Sequence, residues 1–125
     1  MKKVKILVVE DDEQFRTLLQ RFLEPTCEVI LATNGEEATD LALAELPDLV
    51  MTDILMPKKT GVELIRDLRD HETTKHIPII ILLATVYTQD LKAAQSFNPD
   101  SILPKEQITR KVLFDLVERL IPTRD

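Results

Sequence analysis

The stretch "LVVEDDEQ", residues 7–14, joins an apolar run directly to a group of acidic residues. The apolar run has the character of a buried strand, and Glu10, Asp11 and Asp12 follow where that strand would end. Neighbouring carboxylates repel one another, so they need a cation or a helix N-terminus to stabilise them. The stretch therefore predicts a strand whose carboxyl end carries a charged site.

Further apolar runs follow along the chain, and segments with helical periodicity separate them. This alternation is typical of βαβ units and predicts an α/β fold with a parallel sheet. The central runs are apolar almost continuously, which indicates that helices cover both faces of the sheet. The predicted strands are residues 4–9, 27–32, 48–52, 79–84 and 101–103.

Five helices are predicted from apolar stripes and from capping signals. The first carries an apolar stripe beginning at Phe15 and stops at Pro25, and Asp12 and Glu13 are suited to its start. The other starts are indicated by Asn34, by the capping-box pair Thr60 and Glu63, and by Thr88. The fourth helix is predicted at about Gln89 to Phe97 and the last at about Glu106 to Ile121.

The composition is that of one soluble globular domain. The chain has 125 residues, of which 44% are hydrophobic and 30% charged, so we expect a single domain with its core at about residues 4–121. No apolar run is long enough for a membrane span or a secretory leader, and a cytoplasmic location is expected. The net charge of −6 and the dispersed basic residues argue against direct nucleic-acid binding. The single cysteine, Cys27, is expected to be a buried thiol without a role.

Charged residues also follow other predicted strands, with Asp53 after the third and Lys105 after the fifth. Because ligands bind outside the carboxyl ends of parallel strands, we expect this ammonium and the carboxylates of Glu10, Asp11 and Asp53 to converge in one crevice. Two carboxylates about 4 Å apart repel by roughly 4 kcal/mol at an effective dielectric constant near 20. Oxygen ligands alone favour a hard divalent ion such as Mg²⁺. Beside such an ion, Asp53 could attack a phosphoryl group and Lys105 could bind its oxygens.

On these residues the chain resembles a two-component response-regulator receiver domain of the chemotaxis-regulator type. The motifs that carry the resemblance are "ILVVEDDE", "PDLVMTDILMPKKTG" and "SILPKE", and the match runs from about Lys5 to Ile121. In the family an acidic pair follows the first strand, and the phospho-accepting aspartate is followed by a proline four residues on and a glycine eight residues on. The matching residues here are Glu10, Asp11, Asp53, Pro57, Gly61 and, for the family's lysine after strand five, Lys105.

The resemblance implies a doubly wound, five-stranded parallel sheet in the flavodoxin-like order 2-1-3-4-5 with five helices. It also implies that a histidine kinase or histidine phosphotransfer protein donates a phosphoryl group to Asp53. Mg²⁺ would be held by Asp11, Asp53 and the backbone carbonyl of Leu55, with Glu10 beside it. The domain would be a regulator that assists only its own phosphotransfer and dephosphorylation. Lys105 would act with Asp53 in these reactions. An output partner would bind the face formed by the fourth helix, fifth strand and fifth helix.

The resemblance breaks down at the positions through which receivers usually report phosphorylation. Thirty positions after Asp53, where the family normally has threonine or serine, the sequence has Leu83, and Thr85 stands two places later. A shift of two residues keeps a side chain on the same side of a strand, so Thr85 could supply the hydroxyl. The family's aromatic residue in strand five is replaced by Ile102. The candidate switch positions are therefore Leu83, Ala84, Thr85 and Ile102.

Two functional interpretations follow from these residues. The first is a phosphoryl-accepting switch, and the alternative is a receiver-like interaction module that binds partners independently of phosphorylation, which Leu83 and Ile102 favour. A flavin-binding function is disfavoured because the acids after the first strand would repel a cofactor phosphate. A haloacid-type phosphatase would need a second aspartate where this chain has Leu55. The chain either stands alone or is the receiver of a longer protein, and dimerisation through the last helices stays open.

Overall fold

The computed structural model describes residues 3–54, 60–84, 92, 94–96 and 98–121. Strands and helices alternate along these residues. The strands are β1 (Val4–Val9), β2 (Cys27–Ala32), β3 (Leu49–Asp53), β4 (Ile79–Leu83) and β5 (Ser101–Pro104). The helices are α1 (Glu13–Leu23), α2 (Gly35–Glu45), α3 (Gly61–Asp70) and α4 (Arg110–Leu120), and a short 3-10 helix, Lys105–Gln107, precedes α4.

The strands form one sheet in the order β2-β1-β3-β4-β5, and every neighbouring pair is parallel. Successive side chains of a strand point to opposite faces, so the sheet carries two apolar cores. Leu7 and Val9 of β1 pack into the core that contains buried residues of α2 and α3. Ile6 and Val8 pack into the core that contains buried residues of α1 and α4. The predicted α/β fold, with helices on both faces of a parallel sheet, is confirmed.

The predicted starts of the first three helices are confirmed. The Asp12 side chain accepts a hydrogen bond from Phe15 N at 2.9 Å, and the Asn34 side chain accepts one from Glu37 N at 2.9 Å. At the start of α3, Thr60 forms the full capping box with the residue three positions on. These side chains satisfy backbone N–H groups that have no partner within the helix, so each of these three helices begins where the sequence places a cap.

The third strand lies one residue later than predicted. The sequence predicts it at residues 48–52, but it begins at Leu49 and ends with Asp53, which pairs with Leu82 of β4. The carboxylate of Asp48 takes the place of a strand carbonyl, since its Oδ2 accepts a hydrogen bond from Lys5 N at 2.8 Å. Asp53 is therefore held by strand pairing rather than by a loop.

The described residues contain four complete helices, not the five predicted. The predicted fourth helix at Gln89 to Phe97, with its Thr88 cap, lies mostly outside the described residues, within which Lys92, Ala94 and Gln95 are helical. No helix in the described part of the chain is both long and apolar enough to cross a membrane.

The last helix, α4, begins at Arg110 and not at Glu106, so its predicted start is wrong. Glu106 lies in the 3-10 helix, and the Thr109 side chain caps α4 by accepting a hydrogen bond from Val112 N at 3.1 Å. A short tight turn, closed by the bond from Ile108 N to Lys105 O at 3.2 Å, therefore separates Lys105 from the helix.

Candidate functional site

Lys105 lies among acidic side chains at the carboxyl end of the sheet. Its Nζ donates a hydrogen bond to Glu10 Oε1 at 2.9 Å and another to Asp53 Oδ2 at 3.0 Å. Glu10 directly follows β1, Asp53 ends β3, and Lys105 directly follows β5. Three strand ends thus bring one ammonium and two carboxylates together, although these residues are far apart in the sequence.

Strand register explains why these residues meet. Val9 of β1 pairs with Thr52 of β3, so the next residues along, Glu10 and Asp53, lie side by side at the edge of the sheet. Pro104 pairs with the last residue of β4, and β4 lies between β3 and β5. The long side chain of Lys105 therefore reaches past the end of β4 to contact both carboxylates.

Asp11 completes an acidic cluster with Glu10 and Asp53. One carboxylate oxygen from each of these residues lies within 4.8 Å of the others. Glu10 has 0% and Asp53 8% of its surface exposed, whereas Asp11 is exposed. Three oxygen donors at this spacing, two buried and one open to solvent, suit a hard divalent cation that keeps part of its water shell.

One oxygen of this cluster is buried and incompletely satisfied. Glu10 Oε2 lies 2.9 Å from Lys105 Nζ, but it accepts no hydrogen bond within the described part of the chain. Buried carboxylate oxygens are normally hydrogen-bonded because burial removes their contacts with water. A divalent cation beside Glu10 Oε2 would satisfy this oxygen, so the residues present fit the metal that the sequence predicts.

Burial and charge shift two of the site's pKa values. Burial raises the pKa of Glu10 above its ordinary value of 4.5; the hydrogen bond from Lys105 lowers it, and the charge of Asp53 adds to the rise. Burial alone would lower the pKa of Lys105, but its hydrogen bonds to Glu10 and Asp53 outweigh this effect and raise it above 10.5. Lys105 is therefore a cation at neutral pH, and this one ammonium faces a cluster of three carboxyl groups.

Gly61 fixes the backbone on the other side of Asp53. Its N–H donates a hydrogen bond to Ile54 O at 2.8 Å. A Cβ atom at position 61 would overlap the carbonyl oxygen of Asp53 and would come within 2.8 Å of Ile54 Cα. The match of Gly61 to the family's glycine thus has a steric reason, because only glycine allows α3 to begin this close to the strand end.

Helix α1 adds two side chains that sequence reasoning did not assign to the site. The ring of Phe15 lies with its centroid 4.8 Å from Lys105 Nζ. Arg16 Nη1 donates hydrogen bonds to the backbone oxygens of Glu10 at 3.0 Å and Asp11 at 3.4 Å. The available signal was their place in the first turn of the helix that follows the acidic loop, which brings side chains back towards the strand end.

The candidate switch positions lie in different environments. Leu83 is the last residue of β4 and only 4% exposed, so an apolar side chain fills this place. Ala84 is exposed, and Ile102 is partly buried against the same core as Leu83. Thr85 and Leu55 lie outside the described residues, as does Pro57. Neither Leu83 nor Ile102 offers a hydroxyl group to the site.

Comparison with known proteins identifies the family. A model described as "Response regulator receiver domain" matches residues 6–118. The alkaline phosphatase synthesis transcriptional regulatory protein PhoP of Bacillus subtilis is 38% identical over 109 residues, which are 86% of this chain and 45% of PhoP. The chain thus spans less than half the length of that relative.

Two solved structures share the fold. The signal receiver domain of a histidine kinase from Syntrophus aciditrophicus is 28% identical, with a TM-score of 0.85, over 97% of this chain and 94% of that one. The receiver domain of a sensor histidine kinase from Pseudomonas aeruginosa, whose structure has a magnesium ion coordinated in the active-site cleft, is 24% identical with a TM-score of 0.90, over 97% and 99%. This chain belongs to the response-regulator receiver domain family of two-component signalling.

Proposed function

We propose that Asp53 accepts a phosphoryl group from the phosphohistidine of a histidine kinase or a histidine phosphotransfer protein. The observation that carries the proposal is the bridge from Lys105 Nζ to the buried carboxylates of Glu10 and Asp53. A structural ion pair would need one carboxylate for one ammonium, whereas this cluster holds three carboxylates. The surplus negative charge is suited to a divalent cation and, through it, to a phosphate.

The proposed transfer is a displacement at phosphorus. A carboxylate oxygen of Asp53 forms a bond to phosphorus while the P–N bond to the donor imidazole breaks, and the electron pair of that bond returns to the imidazole nitrogen. Lys105 donates a hydrogen bond to a phosphoryl oxygen as that oxygen approaches Asp53. The product is an aspartyl phosphate on this chain, so the domain acts as a regulator that is modified and not as an enzyme that turns over a separate substrate.

Mg²⁺ is the proposed cofactor of this step. The carboxylates of Glu10, Asp11 and Asp53 would hold it, and the family resemblance adds the backbone carbonyl of Leu55, which lies outside the described residues. When bound, the ion supplies positive charge that lets an anionic donor approach a group of carboxylates. The under-satisfied oxygen Glu10 Oε2 supports this assignment.

The proposed result of phosphorylation is a change in partner binding. Lys105 directly follows β5 and precedes α4. A movement of its side chain towards a phosphoryl group would therefore change the structure of the face that those two elements form. We propose this face as the surface that an output partner reads; the predicted fourth helix, which the family resemblance adds to this surface, lies mostly outside the described residues. The proposal also assigns the domain to the cytoplasm, alongside the catalytic part of its kinase.

A mass measurement tests the phosphoryl-acceptor proposal. Incubation with a small phosphodonor such as acetyl phosphate and Mg²⁺ should add the mass of one phosphoryl group. Asp53→Asn should abolish the gain, as should removal of Mg²⁺ with a chelator. Asp115→Asn is the matched control, because Asp115 pairs with Lys111 on the exposed face of α4. A gain that persists in Asp53→Asn would contradict the proposal.

A second function is favoured by Leu83. This buried side chain stands where the family normally has a hydroxyl, so the usual report of phosphorylation through β4 has no hydrogen-bonding group at that position. Under this alternative, the domain binds its partner whether or not Asp53 is phosphorylated. Backbone amide NMR spectra recorded with and without phosphodonor decide between the two. The switch predicts changes in β5 and α4, and the alternative predicts changes confined to residues around Asp53.

A further inference from the structure

A closed circuit of contacts links the acidic loop, helix α1 and Lys105. Asp12 N donates to Glu10 Oε1 at 3.3 Å, and Asp12 Oδ2 accepts from Phe15 N at 2.9 Å. The Phe15 ring centroid lies 4.8 Å from Lys105 Nζ, and Lys105 Nζ donates to the same Glu10 Oε1 at 2.9 Å. Each of these four residues is thus held by two others of the circuit.

The Phe15 ring is held by a capped backbone and by packing against the core. Phe15 lies in the first turn of α1, where the cap at Asp12 holds its N–H, and its side chain is half-buried against the core beside α1. The lysine side chain, in contrast, has a flexible four-carbon stem that can place its ammonium in many positions. An aromatic face within about 6 Å of an ammonium attracts it and narrows that range. The Phe15 ring is therefore the more rigid partner, and it restricts the positions that the Lys105 ammonium can occupy.

We propose that Phe15 is a positioning residue that holds the Lys105 ammonium in place for phosphoryl transfer to Asp53. Lysine has three N–H donors, and Glu10 and Asp53 take two of them, so the ammonium has capacity to meet a phosphoryl oxygen as well. An ammonium already held in place loses less freedom when it meets the transferring group, and this raises the rate. Phe15 itself touches no reacting atom and acts through Lys105. The inference rests on the proposed phosphoryl transfer.

The chain provides a matched control for this role. Phe22 lies on the same helix, is also half-buried against the same core, and its ring has a cationic partner, with the Arg110 Cζ 5.1 Å from the ring centroid. Arg110 is the first residue of α4, and its guanidinium is the cation that the Phe22 ring meets, whereas the Phe15 ring meets the ammonium that donates to Asp53. Replacing either ring by leucine removes one cation–aromatic contact and keeps an apolar side chain, so the two variants differ mainly in which cation is released.

The first experiment measures the rate of phosphoryl gain from acetyl phosphate and Mg²⁺ by intact mass. Phe15→Leu should slow the gain roughly three- to ten-fold, the range expected for losing one partly buried cation–aromatic contact. Phe15→Tyr keeps the aromatic face and should restore most of the rate, whereas Phe22→Leu should leave it unchanged. Equal rates for Phe15→Leu and Phe22→Leu would overturn the proposal, as would a failure of Phe15→Tyr to restore the rate.

The second experiment does not depend on phosphorylation, so it separates failure of this inference from failure of the proposed function. Trace acylation of the lysines with an N-hydroxysuccinimide ester, followed by peptide mass spectrometry, gives the reactivity of Lys105 relative to exposed Lys111. Phe15→Leu should raise this ratio at least two-fold, because the side chain of Lys105, 17% exposed in the structure, is released to solvent. Phe22→Leu should not change it. An unchanged ratio in Phe15→Leu would overturn the positioning role even if Asp53 is phosphorylated normally.

Discussion

Lys105 Nζ lies 2.9 Å from Glu10 Oε2, and the side chain of this glutamate is 1% exposed while that of Lys105 is 17% exposed. The pair therefore places a carboxylate that is almost completely buried against a cation that is itself mostly buried. Removing one partner of such a pair leaves a buried charge without compensation, and the penalty exceeds the value of the pair itself. The same contact that prepares the site for a phosphoryl group thus also sets part of the domain's stability.

Replacing Lys105 by methionine should lower the free energy of unfolding by about 3 kcal/mol at pH 7, because Glu10 and Asp53 lose their cation. The loss should shrink as the pH falls through the raised pKa of Glu10, since protonation removes the uncompensated charge. Urea unfolding at several pH values measures both effects. Lys111→Met is the control, because its side chain is 84% exposed in a surface pair, and it should change stability by less than about 0.5 kcal/mol. Similar losses in the two variants would contradict the buried-pair account.

Mg²⁺ should stabilise the folded domain because the acidic cluster exists only in the folded chain. At a concentration of a hundred times Kd the gain should be about 2.7 kcal/mol, and thermal unfolding measures it. Asp11→Asn should abolish most of this gain at little cost in basal stability, since Asp11 is exposed. Glu118→Gln, at an exposed position of α4, should keep the gain. A sodium salt at matched ionic strength that gives the same shift would show general screening rather than a site.

Gly61→Ala should destabilise the domain by about 1–3 kcal/mol, the usual cost of forcing extra volume into a packed place. The reason is the overlap between the new Cβ and the carbonyl oxygen of Asp53. Because the clash displaces the backbone of the acceptor itself, phosphoryl gain should also slow. Urea unfolding and the mass assay measure the two effects on the same sample. Unchanged stability together with an unchanged rate would show that the close approach of α3 to β3 is not needed.

The thiol of Cys27 provides a pH-dependent prediction away from the site. This residue is 5% exposed, and burial raises the pKa of the Cys27 thiol above its ordinary value of 9.0. The unfolded chain therefore loses this proton first, so stability should fall as the pH rises through the unfolded pKa towards the folded one. Cys27→Ala lacks the titrating group, so the difference in unfolding free energy between this variant and the natural chain should change over this pH interval. A difference in unfolding free energy that stays constant from pH 7 to pH 10 would contradict the prediction.

The meeting of the charged residues was predictable from the sequence because the carboxyl ends of parallel strands lie at the same edge of a sheet. Glu10, Asp53 and Lys105 each follow or end such a run, so their convergence follows from topology without any detail of packing. The strand boundaries were less certain, because Asp48 replaces a backbone partner with its carboxylate and so shifts the start of β3. Boundaries depend on such single hydrogen bonds, whereas the presence of an element depends on a whole pattern.

The roles of Phe15 and Arg16 were not predictable from the pattern. Phe15 fits the apolar stripe of α1 and does contact the core, so the periodicity gives no sign that its ring also meets Lys105. Arg16 has the appearance of a solvated charge on a helix, and only the fold brings its guanidinium to the backbone oxygens of the acidic loop. The sequence pattern around a residue indicates its packing within its own helix, but it does not indicate a contact with a residue that is distant in the sequence.

Locating the modified residue tests directly whether Asp53 is the phosphoryl acceptor. Protein treated with acetyl phosphate and Mg²⁺ is reduced with borohydride, which converts an aspartyl phosphate to homoserine, and peptide mass spectrometry then reads the position. Homoserine should form at position 53 alone, and its formation should depend on Mg²⁺ and be strongly reduced in Lys105→Met. Homoserine at position 11, at another aspartate, or nowhere after a verified treatment would contradict the assignment of Asp53 as the phosphoryl acceptor.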